Sequence, residues 1–124
     1  MLVLSLIMMF AGFGFYVVAL NFSITAFRRL VDYQYQNHKD KWEADGRPRG
    51  GKITHKELSF FGSDFASSLC SISWAVRRPD WLSAGSFVEK FRIDMIRWFF
   101  ISFIGFFIFA GGMVVFGLTL KSIG

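Results

Sequence analysis

The residues able to carry chemistry are few, and all lie in the middle of the chain. His38 has Asp40 and Glu43 nearby, the company a general base needs, but helical spacing puts them on different faces. His38 and His55 stand 17 residues apart with no cysteine beside either, which is not a zinc-ligand spacing. Cys70 is the single cysteine and has no partner for an internal disulfide, so it reads as a small buried or interfacial residue. The run Gly46, Arg47, Pro48, Arg49, Gly50, Gly51, Lys52 sets two glycines five apart before a lysine, as a phosphate-binding loop does. Ile53 then occupies the place where a Ser or Thr must ligate magnesium, and Pro48 removes a backbone N–H that would cradle phosphate. The run reads as a basic turn. With no Gly-x-Ser-x-Gly and no Cys and His pair at a catalytic spacing, the residues predict a protein that is not an enzyme and that holds no cofactor and no metal.

The elements that would position these residues follow from where charge is missing. Residues 28–97 hold 13 of the 14 Lys and Arg and all nine Asp and Glu, leaving residues 1–27 and 98–120 without a formal charge. Residues 2–27 and 98–120 each exceed the roughly 20 residues needed to cross a bilayer, so both are predicted transmembrane helices. The first lacks a basic n-region and an Ala-x-Ala site and is longer than a signal-peptide core, so a retained anchor is expected. Neither run contains Asp, Glu, Lys, Arg or His, which argues against a transporter acting alone. The positive-inside rule puts residues 28–97 in the cytoplasm and both termini outside. Thirteen basic against nine acidic residues leave that segment at only +4, and Arg28, Arg29, Arg77, Arg78 and Arg97 flank apolar stretches. Anionic lipid is therefore the expected partner, and nucleic acid is not.

The fold class expected is an all-α membrane protein, two transmembrane helices in an antiparallel hairpin with a cytosolic, partly amphipathic helical middle. Phe27, Leu30, Val31, Tyr35, His38 and Trp42 recur on one helical face, so helix one is predicted to continue to Asp45, where Gly46 and Pro48 stop it. Within residues 58–76 the set Phe61, Phe65, Leu69, Ile72 and Val76 marks an amphipathic helix whose apolar face rests on lipid or packs against the ends of the spans. Ser86 and Glu89 form a capping box ahead of a helix that runs into the second span. The candidate lipid or partner contacts are Arg28, Arg29, Trp42, Phe61, Phe65, Leu69, Trp74, Arg77, Arg78, Trp81 and Arg97. Small residues at heptad steps, Ser5, Gly12 and Ala19, then Gly105, Gly112 and Thr119, are a seam for helix packing, either between the two spans or between copies.

One resemblance adds to this. From His38 through Trp42 and Gly46 to Pro48, and again at Arg77, Arg78, Pro79, Asp80, Trp81 and Leu82, then Phe91, Arg92 and Arg97, the chain resembles small bacterial inner-membrane proteins with two spans, of which universal stress protein B is one. Lys39 stands where that pattern has a Pro. The resemblance implies a bacterial inner-membrane protein of general-stress type with no catalytic residue to carry over. Together these readings predict a non-enzymatic accessory or interaction protein. A subunit of an oligomeric membrane channel or transport complex is the alternative.

Overall fold

Two helices dominate the chain because its two uncharged runs contain few residues that break a helix. A computed structural model describes residues 1–53, 58, 62–83 and 85–123. These form α1 (Leu2–Asn37), α2 (Lys39–Ala44), α3 (Gly62–Val76) and α4 (Glu89–Ile123), with no strand among the described residues. The chain divides into two units, Met1–Phe22 with Arg97–Gly124, and Ser23–Ile96.

In the first unit α1 and α4 pack antiparallel, since Phe22 meets Trp98, Tyr16 meets Phe106 and Phe13 meets Phe109 at ring-centroid distances of 4.8, 5.9 and 5.8 Å. Small residues set how near the backbones come. A methyl group built on Gly12 would stand 2.8 Å from the Gly105 carbonyl oxygen, and one on Gly105 would stand 2.8 Å from that of Gly12. Ser5, Ala19 and Ser102 are almost fully covered in the same seam. The hydroxyls of Ser5 and Ser102 donate to the carbonyls of Leu2 and Phe99, so neither is buried unpaired. Only 17% of the most apolar window of each helix is buried, although mean hydropathy there is 2.3 in α1 and 2.4 in α4. Both helices are long and apolar enough to cross a membrane, and their large side chains point outward where a soluble core helix would hide them.

The second unit has its own core, built from Ala26, Phe27, Leu30, Val31, Trp42, Ile53, Cys70, Trp74, Leu82 and Met95. Residues 23–27, the last of the first uncharged run, thus belong partly to this core, and Ser23 Oγ donates to the Met95 carbonyl at 2.8 Å. Helix one does not continue to Asp45. It ends at Asn37, and His38, at φ −139° and ψ 55°, turns the chain before α2. A continuous helix would hold residues 34 and 45 about 16 Å apart. Here Gln34 Nε2 donates to Asp45 Oδ2 at 2.6 Å, so α2 returns toward α1. The turn also buries Trp42, whose Nε1–H donates to the Pro48 carbonyl at 3.0 Å while its ring meets Tyr35 edge-on.

The stop after α2 is a Schellman motif. Gly46, at φ 90°, donates to the Glu43 carbonyl and Arg47 donates to that of Trp42. At the start of α4, Ser86 Oγ accepts from the Glu89 N–H at 3.3 Å, and the Glu89 carboxylate reaches back to the Gly85 N–H at 2.6 Å. The reciprocal bond therefore falls one residue earlier than a strict capping box puts it.

Candidate functional site

The surface of interest is the outer side of α3, and its identity depends on which side of that helix faces inward. Ser63, Ala66, Cys70 and Trp74 are the buried ones. They are mostly small because α3 lies against the α2 turn, where a Cβ on Gly46 would be 3.0 Å from that of Ala66. Arg49 ties the preceding loop to the same helix, its backbone N–H donating to Ser67 Oγ at 2.7 Å and its Nε to Asp64 Oδ1 at 2.9 Å. At the other end Arg92, from α4, donates Nε–H to the Trp74 carbonyl at 2.6 Å. That bond satisfies a carbonyl the helix itself leaves open and places a cation at the negative end of its dipole.

With the small side held inward, the large apolar side chains point out. Phe65 is 68% exposed, Leu69 53%, Ile72 64% and Val76 81%. Within the second unit these four side chains take no part in the core. Phe61, which would extend the row, lies outside the described residues.

The remaining contact candidates separate into three groups. Trp42 and Trp74 are 1% and 4% exposed, so they build the core and are not contact residues; Trp74 packs on Phe27 and Trp81. Trp81 is partly buried in a cluster with Tyr33 and His38, and its Nε1 is buried without a hydrogen-bond partner. The basic residues are at the surface. Arg28 and Arg29 are exposed, with the Arg29 guanidinium 5.5 Å from the Phe91 ring centre, and Arg97 stands 5.7 Å from that of Trp98. Arg77 is exposed just past α3, whereas Arg78 pairs with Glu89 at 3.5 Å. Gly12, Ala19, Gly105 and Gly112 are all buried in the seam of the first unit.

Among the described residues the chemistry-bearing groups do not assemble, and His55 lies outside those residues. Among the described residues no group of three or more His, Cys, Asp and Glu could hold a metal ion. The His38 ring packs 5.8 Å from those of Tyr33 and Trp81. In the loop resembling a phosphate cradle, the backbone already faces an anion. Lys52 N–H donates to Asp32 Oδ1 at 2.9 Å, and Gly50 and Gly51 lie so close to that carboxylate that a side chain on Gly50 would collide with it. The Cys70 thiol is pushed up to about 12, by burial first and then by the Asp45 charge, so it stays protonated and unreactive. Glu89 is held below the ordinary carboxylate value by the Gly85 N–H, with Arg78 and Arg92 adding to the effect.

Sequence reasoning passed over Asp32, Gln34 and Ser102 and gave Arg92 no part in holding α3. Only Ser102 left a readable signal, one helical turn before Gly105 in a run otherwise full of phenylalanine. No family model, curated protein or solved structure matches this chain.

Proposed function

We propose that this chain is a non-enzymatic integral protein of a bacterial inner membrane, α1 and α4 crossing the bilayer and residues 28–97 lying in the cytoplasm. It acts as an accessory, stress-related interaction protein, and the outer face of α3 with the exposed arginines contacts anionic lipid or a partner protein. The observation that carries this reading is the row Phe65, Leu69, Ile72 and Val76, four large apolar side chains exposed outside the two long uncharged runs. Exposed apolar surface of that kind marks lipid or protein contact. The outward apolar faces of the two uncharged runs within α1 and α4 support insertion, and the thirteen basic residues between those runs, in 28–97, support the orientation. Cysteine accessibility in intact cells tests it. A thiol reagent confined to the periplasm should spare Lys52→Cys and label a cysteine at the C-terminus, and labelling at position 52 would sink the topology.

A second reading, a subunit of an oligomeric channel or transport complex, draws on Gly14 and Gly117, which have open space beside them on the apolar surface. Crosslinking in native membranes should then give ladders above the monomer.

A further inference from the structure

The composition of α3 is unusual for a helix meant to seek negative charge. Gly62–Val76 contains five serines, one acid and no Lys or Arg. Its exposed apolar residues fall at steps of four, three and four, which at 100° per residue keeps them inside a wedge of roughly 60°. The row is therefore narrow, and the residues flanking it are Ser68 and Ser73. Ser68 Oγ donates to the Asp64 carbonyl and Ser71 Oγ to that of Ser68, so these hydroxyl hydrogens are already spent inside the helix. A folded protein partner would find little on this face to fix its orientation by hydrogen bonds or charge. Insertion of side chains into a gap between lipids needs neither.

Resting on the membrane reading above, we propose that the outer face of α3 inserts into the bilayer interface and reads lipid packing, not headgroup charge: Phe65, Leu69, Ile72 and Val76 occupy defects between loosely packed acyl chains. The exposed Arg28, Arg29 and Arg97 belong to α1 and α4, at the ends of the uncharged runs in the sequence, where they serve anionic headgroups and orientation. A free amphipathic helix with so few cations would hold a membrane weakly, because its binding combines apolar area with electrostatic attraction. Tethering changes that balance. The chain enters and leaves the second unit through α1 and α4, so the bilayer is present at a high effective concentration and the row needs only a marginal insertion free energy to respond. A marginal insertion is also the one most sensitive to curvature and acyl-chain packing.

The test uses the full chain in phosphatidylcholine vesicles, in a Cys70→Ala background, with a nitrobenzoxadiazole label on Leu69→Cys or Ile72→Cys. Val114→Cys reports on the span and Lys41→Cys on water. The expected result is emission at 69 and 72 that rises about twofold or more from large palmitoyl-oleoyl vesicles to small dioleoyl vesicles, with quenching by brominated lipid. Neither high salt nor added phosphatidylglycerol should change it. A label at 69 and 72 that remains in water in every vesicle, while 114 is dry, overturns this inference and leaves the membrane reading standing. A signal that depends on phosphatidylglycerol and disappears in salt overturns it in favour of charge recognition. Crosslinks between copies through residue 72 overturn it in favour of a second copy. A wet label at 114 removes the membrane reading itself.

Discussion

Adding one methyl group to Gly12 should open the helix seam, and the cost can be worked from the distances. The new Cβ would stand 2.5 Å from the Phe109 nitrogen and 2.8 Å from the Gly105 oxygen, where ordinary contact begins at 3.4 Å. Both opposing atoms are backbone, so no side chain can swing aside and α4 must retreat by roughly 1 Å. A gap of that size forfeits about a quarter to a half of each contact well along the seam. It loosens the Phe13 to Phe109 and Tyr16 to Phe106 ring pairs on either side. Overpacking of this kind costs about 1–3 kcal/mol, and 2 kcal/mol is roughly a 30-fold change in the packing equilibrium. Energy transfer between labels on Val3→Cys and Leu118→Cys, both exposed, measures that equilibrium as denaturing detergent is titrated into mild micelles. Gly14→Ala and Gly117→Ala are the controls, since nothing lies within 4 Å of either, and each should stay within about 0.5 kcal/mol. The Gly12→Ala and Gly105→Ala double variant should cost less than the two singles combined, because the first retreat makes room for the second methyl. If Gly12→Ala and Gly14→Ala behave alike, the close backbone approach is not what holds the hairpin together.

Three further outcomes are open to measurement. Trp42→Ala should destabilise the second unit by about 3–5 kcal/mol and Trp42→Phe by about 1–3, the latter by leaving the buried Pro48 carbonyl without its donor; urea melts would read both. Cys70, its pKa raised to about 12 from 9.0, should resist maleimide at pH 8 until the unit unfolds. The stability linked to it is full below pH 9 and is lost as pH rises toward 12, which thiol labelling across a denaturant series checks. Glu89 has a lowered folded pKa, so its contribution is present above the ordinary 4.5 and disappears as pH falls through the folded value. Acid titration followed by near-ultraviolet dichroism should show a loss in the wild type that Glu89→Gln lacks.

Composition and spacing alone determined the two long helices, the small-residue seam and the stop at Gly46. Each is a local or additive property: an uncharged run is long enough or it is not, and a left-handed cap favours Gly wherever it falls. The break at His38 was not legible, because the apolar periodicity passes through it unchanged. What bends the chain there is a set of bonds made across the turn, Gln34 to Asp45 and Trp42 to Pro48. The tertiary structure also decided the sense of α3. Hydropathy favours burying Phe65, Leu69, Ile72 and Val76, yet the Gly46 turn leaves room only for something as small as Ala66, and Arg92 holds the far end in that orientation. The sequence stated that α3 has an apolar face, and the close approach of Ala66 to Gly46 left that face on the outside.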